Sequence, residues 1–265
     1  MSMVPSAPWL FVTRPAAQAD EWVRRLQAQG VPARPLPLIA ITAPDDPQAV
    51  LRAWSELSGC DWVIFVSPSA VEQFFAQAPV AARWPEGVRV ATPGPGTDAA
   101  LARAGVAEAL RRRPRDEAEQ FDSESLWDVL RDETWAGRRV LIVRGDGGRP
   151  WLAQRLTEAG AIVDFLSAYR RGLPVLDATE QAWLVQGLRA PGQAVWLFSS
   201  SQAIEHLVSL AQALGLQPDW SQQEAIVTHP RIGQRAWALG WRRVELSHPA
   251  PDAVAAAWKR RHDAS

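Results

Sequence analysis

Residues 62–74 read WVIFVSPSAVEQF, and this stretch indicates the fold. Its first five residues are all apolar, which is typical of a parallel strand buried on both faces of a sheet. Ser67 then opens a helix, since serine is a common N-cap. A buried strand that leads directly into a helix is the building unit of an α/β protein.

The same alternation continues along the chain. Further apolar runs of strand length lie at 9–12, 88–91, 140–143, 195–198 and 225–227. Between them, residues such as Ala19, Trp22, Val23 and Leu26 have the spacing of one helix face. We therefore predict an α/β protein with parallel, doubly wound sheets.

The order of these features repeats at an offset of about 130 residues, and two copies of one unit are the simplest explanation. WLFVTRP matches VLIVRGDGGRP, FVSPSAVEQF matches LFSSSQAIEHL, and VRVATPGPGTDAALARAG matches AIVTHPRIGQRAWALG. A proline-punctuated segment in the first copy and residues 167–174 in the second predict two crossings between lobes. The expected domains are an outer discontinuous lobe (1–42 plus 175–265) and a central lobe (44–168), with connectors near 32–43 and 167–175.

Composition limits the classes of function. The 265 residues are 47% hydrophobic and 22% charged, with a net charge of -1, which predicts a globular protein with no global attraction to nucleic acid. Lys259 is the only lysine, so almost all cationic side chains are arginines, whose guanidinium groups are suited to binding carboxylates. Codon usage in a GC-rich genome is an alternative explanation for the preference for arginine. Cys60 is the only cysteine, which excludes an intrachain disulfide. Without a signal-peptide pattern or a long apolar run, we expect a cytoplasmic protein with no membrane partner.

The strand-end loops are the candidate binding region, because ligands of open α/β sheets bind beyond the carboxyl ends of the strands. Small, hydroxyl-bearing or glycine-rich stretches occur at 13–15, 67–69, 92–97, 144–148, 199–201 and 228–233. Each opens a helix, whose free N–H groups favour an anion. Ordinary helix capping explains any one loop, whereas all of them together favour a cleft for a small anionic substrate.

Other motifs are weaker. TPGPGT lacks the lysine of a Walker motif and the spacing of a dinucleotide fingerprint, so no nucleotide cofactor is predicted. RGDGGRP is explained equally well by turn chemistry. His206 is interpreted as structural, and His229 has no companion at ligand spacing, so no metal site is predicted. The basic run 111–115 is expected to be a solvated turn.

Tyr169, the only tyrosine, is expected at the mouth of the cleft. A neutral phenol there can donate a proton to a departing oxygen, an effect typically worth about 10²–10⁴-fold in rate. An amphipathic residue at a lobe junction is the alternative.

The order of these motifs resembles the uroporphyrinogen-III synthase family of tetrapyrrole biosynthesis. The resemblance covers essentially the full length: VTRP, FVSPSAV, the GPGT loop, VLIVRG, the tyrosine and LFSSSQAI. It implies two flavodoxin-like lobes joined by a two-stranded connector, an active site in the inter-lobe cleft and no cofactor. A monomer is expected, because a hinged two-lobe enzyme can work as one. The implied substrate is hydroxymethylbilane, which loses its terminal hydroxyl to give an azafulvene on ring A. A spiro intermediate then leads to uroporphyrinogen III with ring D inverted.

By position, Tyr169 matches the family's tyrosine and is the candidate for assisting departure of the hydroxyl. The resemblance and the loop positions give as substrate-binding candidates Arg14, Ser67, Ser69, Thr97, Arg144, Ser199, Ser201, His229 and Arg231. One loop departs from the family pattern, because Ile232 stands where a threonine is usual. In place of the threonine hydroxyl, either His229 or Arg231 is then expected to supply the polar group of this loop.

Two other classes are open to test. A non-enzymatic two-lobed sensor also has paired α/β lobes, but the chain shows neither an export signal nor N-terminal DNA-binding helices. A flavodoxin-like electron carrier requires FMN, so a colourless preparation weighs against it.

Overall fold

The computed structural model describes residues 8–262. Its strands are β1 (Trp9–Val12), β2 (Ala33–Pro35), β3 (Ala40–Thr42), β4 (Trp62–Phe65), β5 (Arg89–Ala91), β6 (Arg111–Arg112), β7 (Arg139–Gly145), β8 (Ile162–Gly172), β9 (Ala194–Phe198), β10 (Glu224–Val227) and β11 (Arg243–Leu246). Its helices are α1 (Ala16–Gln27), α2 (Pro47–Glu56), α3 (Pro68–Ala76), α4 (Pro95–Arg103), α5 (Ser123–Leu130), α6 (Trp151–Glu158), α7 (Ala178–Arg189), α8 (Ser201–Ala213), α9 (Pro230–Ala238) and α10 (Pro251–His262). Within residues 8–262, no helix has the length and apolar character needed to cross a membrane.

The chain divides into two compact units. The terminal unit contains residues 8–40 and 172–262 of the described part, and the central unit contains residues 41–171. The first sheet has the order β2-β1-β9-β10-β11 with parallel neighbours throughout. The second has the order β3-β8-β7-β4-β5-β6, and its neighbours from β8 to β6 are parallel. The predicted α/β class with parallel sheets is confirmed.

Strands of the two sequence copies hold corresponding places in the two sheets. β1 and β7, β2 and β8, β9 and β4, and β10 and β5 are the corresponding pairs. All six apolar runs form strands, as predicted. The chain order differs because the first sheet is interrupted after β2 and resumed at β9.

Burial on both faces explains the apolar runs. In β4, Val63 and Phe65 belong to one core cluster, which also contains Phe74. The alternate residues Trp62 and Ile64 belong to a second cluster. Because successive side chains of a strand point to opposite faces, both faces of this strand are covered by helices, as in other parallel sheets.

The basic run at 111–115 is not the solvated turn that the sequence predicts. Arg111 and Arg112 form β6, the edge strand, which pairs with β5. The side chain of Arg111 is only 12% exposed, and its Nη1 lies 2.8 Å from Asp98 Oδ2. Arg113 Nε lies 3.4 Å from the same oxygen. The prediction was wrong because the anion that accommodates these arginines comes from α4, which the local pattern cannot reveal.

Candidate active site

In the central unit, four of the predicted site residues lie at or just beyond the ends of neighbouring strands. Tyr169 lies in β8, Arg144 near the end of β7, Ser67 after β4 and Thr97 after β5. These strands are adjacent in the order β8-β7-β4-β5. Because parallel strands end at the same edge of a sheet, the fold places the four residues along one edge.

Tyr169 has 0% of its surface exposed, which corrects the expectation of an open position at the mouth of a cleft. Its Oη lies 2.9 Å from Ser67 Oγ and accepts a hydrogen bond of 2.9 Å from Arg171 Nη2. Its ring belongs to the core cluster that contains Phe65. The phenol is therefore a buried polar group held by one hydroxyl and one guanidinium.

A register shift brings Tyr169 into this position. Arg144 pairs with Ser167, but the next residue, Gly145, pairs with Tyr169, so Ala168 is an extra residue on β8. Such a bulge changes the direction of the side chains that follow it. A Cβ on Gly145 would lie 2.8 Å from Tyr169 Cζ, a distance that real Cβ contacts essentially never show. Gly145 is therefore required for space beneath the ring.

The hydroxyl candidates of the central unit are tied to helix starts. Ser67 is the N-cap of α3, and its Oγ accepts a 3.1 Å hydrogen bond from the backbone N–H of Ala70. Ser69 lies in the first turn of the same helix and is buried. Thr97 lies in the first turn of α4 and is also buried. Of these three, only Ser67 is half-buried and not fully enclosed.

Arg144 lines a cavity of about 160 Å³ within the central unit. Gly147, Gly148, Arg149 and Arg171 also line it. Two hydrogen bonds of 2.6 and 2.8 Å join Arg149 to Glu124 and raise the pKa of that guanidinium.

The charge of Arg144 is available to a ligand of this cavity. Its guanidinium stacks over Phe165 at 4.1 Å from the ring centroid, and among the described residues it forms no ion pair. Burial of a cation without a counter-ion is unfavourable. Arg144 is half-buried and offers the cavity a guanidinium donor for a carboxylate, while the acidic Asp146 also lines it.

In the terminal unit, Arg14 and Ser199 are brought together. Arg14 Nη1 donates to Ser199 Oγ at 2.8 Å, and Nη2 donates to Gln18 Oε1 at 3.1 Å. The guanidinium also lies over the ring of Trp22, 4.6 Å from its centroid. These contacts hold Arg14 in one orientation at the end of β1.

Ser201 begins α8, but the N-cap of that helix is Ser200, whose Oγ accepts from the backbone N–H of Gln202. Ser200 thus occupies in α8 the position that Ser67 occupies in α3. The sequence repeat pairs Ser67 with Ser199. In the structure the residue equivalent to Ser67 is Ser200, one position later, because both are helix N-caps two residues after a strand.

The loop after β10 presents polar groups other than the missing threonine. His229 is the N-cap of α9, and its Nδ1 accepts a 3.1 Å hydrogen bond from the backbone N–H of Arg231. Arg231 is exposed, whereas Ile232 is buried. Ile232 therefore adds an apolar side chain to the interior, and the polar side chains of this loop are those of His229 and Arg231.

Sequence reasoning missed two residues of the central site, Arg171 and Gly145. Strand alternation was the available signal for Arg171, because residues i and i+2 of a strand point to the same side, and Tyr169 is two positions earlier. Gly145 carried no such signal, since its role depends on the β7–β8 register.

Hydroxyl and guanidinium groups lie at the ends of parallel strands in this α/β protein, an arrangement suited to an anionic small molecule. The family model described as "Uroporphyrinogen-III synthase HemD" matches residues 20–256. The chain belongs to the uroporphyrinogen-III synthase family, whose members are cyclising hydro-lyases of porphyrin and heme biosynthesis.

Individual relatives agree with this membership. The chain is 30% identical to the uroporphyrinogen-III synthase of Salmonella typhimurium over 91% of this chain and 95% of the relative. It is 27% identical to that of Escherichia coli over the same shares. Among solved structures, a mutant uroporphyrinogen III synthase from Thermus thermophilus has a TM-score of 0.58 at 16% identity, covering 96% of this chain and 98% of its own. At that identity the structural likeness shows the fold alone.

Proposed function

We propose that the chain converts hydroxymethylbilane to uroporphyrinogen III, with loss of water and inversion of ring D. The observation that carries the mechanism is the phenol of Tyr169, held between Ser67 and Arg171 at the strand-end edge of the central unit. Departure of the substrate's terminal hydroxyl needs a proton, and a phenol is a suitable general acid. We assign Tyr169 as the source of that proton.

We further propose that the two units are flavodoxin-like lobes joined by a two-stranded connector. The strand order supports this, because the terminal sheet, counted along its own strands, reads 2-1-3-4-5, the flavodoxin order. Apart from β3, the central sheet has the same order after circular permutation. In this proposal the lobes comprise 1–42 plus 175–265 and 44–168, with connectors near 32–43 and 167–175; residues 1–7 and 263–265 lie outside the described part of the chain.

Orientation is the main task of such an enzyme, since the linear substrate also closes unaided to the isomer with an unflipped ring. Fixing the chain ends in reactive geometry converts a loose encounter into a directed ring closure. We propose that Arg14 and Arg144 hold substrate carboxylates, because guanidinium groups bind carboxylates through paired hydrogen bonds. Ser69, Thr97, Ser199, Ser201, His229 and Arg231 complete the proposed set of binding residues.

The deciding experiment adds purified protein to freshly made hydroxymethylbilane, oxidises the products and separates the isomers. Enrichment of isomer III over the enzyme-free control is expected. A mixture identical to that control refutes the proposed function.

Tyr169→Phe tests the assigned acid. We expect it to reduce the rate of isomer III formation by about 10²–10⁴-fold, the usual contribution of general acid catalysis. Thr97→Ala should lose less, and both variants should show the wild-type circular dichroism spectrum. Equal or negligible losses would make Tyr169 a structural residue.

A further inference from the structure

The burial of Tyr169 raises the question of how its proton reaches a ligand. No part of its side chain is exposed, whereas Ser67, whose Oγ lies 2.9 Å from the phenol oxygen, is half-buried. Ser67 also stands at the strand-end edge where ligands of α/β sheets bind. The group next to the phenol is therefore the one that a substrate can reach.

The hydrogen bonds around Tyr169 have a defined direction. Arg171 can only donate, so the phenol oxygen accepts from it. The buried phenolic hydrogen needs an acceptor, and among the described residues Ser67 Oγ is the only oxygen bonded to it. Tyr169 therefore donates to Ser67.

The hydroxyl hydrogen of Ser67 is not used in these hydrogen bonds. Its Oγ accepts from Tyr169 and from the backbone N–H of Ala70, which uses both lone pairs of the hydroxyl. Its own hydrogen has no acceptor among the described residues. The hydrogen-bond chain from Arg171 through Tyr169 to Ser67 therefore ends in a hydroxyl hydrogen that no described residue accepts.

We infer that Ser67 is a catalytic residue that passes the proton of Tyr169 to the departing hydroxyl of the substrate, an inference that rests on the proposed function. The Ser67 O–H hydrogen moves to the substrate's hydroxyl, the carbon–oxygen bond breaks, and water leaves. Ser67 takes the phenolic proton at the same time, and the phenolate is stabilised by the Arg171 guanidinium. The proton released when ring D closes returns along the same path, so the enzyme ends in its starting state.

This role differs from binding a carboxylate, which is what the sequence alone suggested for Ser67. A carboxylate contact strengthens ground-state binding and appears mainly in KM. A proton relay appears in the rate of the bond-breaking step. Arg171 acts through Tyr169 and is a positioning residue.

The test is a double-mutant cycle on single-turnover formation of isomer III. Ser67→Ala and Tyr169→Phe should each reduce the rate by about 10²–10⁴-fold with little change in substrate affinity. The double variant should lose no more than either single variant, because residues acting as one unit are strongly non-additive. Ser67→Thr, which keeps the hydroxyl, should restore most of the rate.

Asp177→Ala is the control for loss of an N-cap, because the Asp177 side chain caps α7 outside the proposed site and its removal should keep the wild-type rate. If Ser67→Ala does not fold, Ser67→Gly takes its place, since glycine is tolerated at N-caps. Losses that multiply in the double variant, or a Ser67 effect confined to KM, overturn the inference while wild-type isomer III still supports the proposed function. A wild type that makes no isomer III refutes the proposed function itself.

Discussion

Gly145→Ala should damage both the stability and the activity of the protein, although it adds a single methyl group. The added Cβ would lie 2.8 Å from Cζ and 2.9 Å from Cε2 of Tyr169, and 3.2 Å from its hydroxyl oxygen. The ring cannot yield easily, because Tyr169 is fully buried in a core cluster. The strain therefore falls on the hydrogen bonds of the phenol.

The size of the effect follows from these distances. Restoring an ordinary contact of 3.4 Å requires the ring to move by 3.4 minus 2.8, or 0.6 Å. A shift of this size away from Ser67 and Arg171 stretches their 2.9 Å hydrogen bonds to about 3.5 Å, beyond normal hydrogen-bond length. Overpacking costs about 1–3 kcal/mol, and each lost hydrogen bond about 0.5–1.5 kcal/mol. With both hydrogen bonds lost, we expect a total loss of about 2–6 kcal/mol in the free energy of unfolding.

Urea denaturation followed by circular dichroism measures this loss, and the isomer assay measures the activity. Gly172→Ala is a matched control in β8, because a Cβ there has no atom within 4 Å. A glycine-to-alanine change at a compatible position typically stabilises a protein by about 0.4–1 kcal/mol. If Gly145→Ala proves as stable and as active as Gly172→Ala, the proposed contact between the glycine and the ring is wrong.

Two further predictions concern stability. Hydrogen bonds from the Arg139 backbone N–H and the Arg138 guanidinium hold the pKa of Asp61 below its usual range. The ionised Asp61 therefore stabilises the folded state at pH values above its unfolded pKa of about 3.9, and this stabilisation is lost as the pH falls through the folded pKa. Asp61→Asn should therefore weaken the acid dependence of the free energy of unfolding below about pH 4, and an unchanged dependence would contradict this. Gln223→Leu should cost about 1–3 kcal/mol, because the buried Trp196 N–H, now 2.9 Å from Gln223 Oε1, loses its acceptor. The exposed Gln222→Leu should stay within about 0.5 kcal/mol of wild type in the same urea titration, and equal losses would argue against the hydrogen bond.

Much of the fold could be predicted from local pattern. The run at 62–66 is apolar because both faces of β4 are buried, so its strand was evident without any alternation. The basic run at 111–115 has no such pattern, and its interpretation as a turn was wrong. Arg111 lies in an edge strand because Asp98, on α4, supplies a carboxylate 2.8 Å away.

The residues of the candidate site could be predicted from the sequence, whereas the contacts between them could not. Tyr169 and Ser67 were found by their motifs and by their places after buried strands. Their contact was not predicted, because it depends on the bulge that pairs Gly145 with Tyr169 and skips Ala168. One extra residue reverses the face of the sheet to which each following side chain points. In a regular strand without the bulge, Tyr169 and Ala168 would point to opposite faces. In the structure both residues belong to the same core cluster.

The α/β class, the internal repeat and the strand ends that carry hydroxyl and guanidinium groups are evident from the amino-acid sequence. Each of these follows from short-range periodicity and from motif order, which a chain displays before it folds. The burial of the phenol, its hydrogen bonds with Arg171 and Ser67, and the space that Gly145 leaves for it become evident only in the folded protein. Those facts depend on strand register and on distances below about 3.5 Å between residues remote in sequence, which no local pattern encodes.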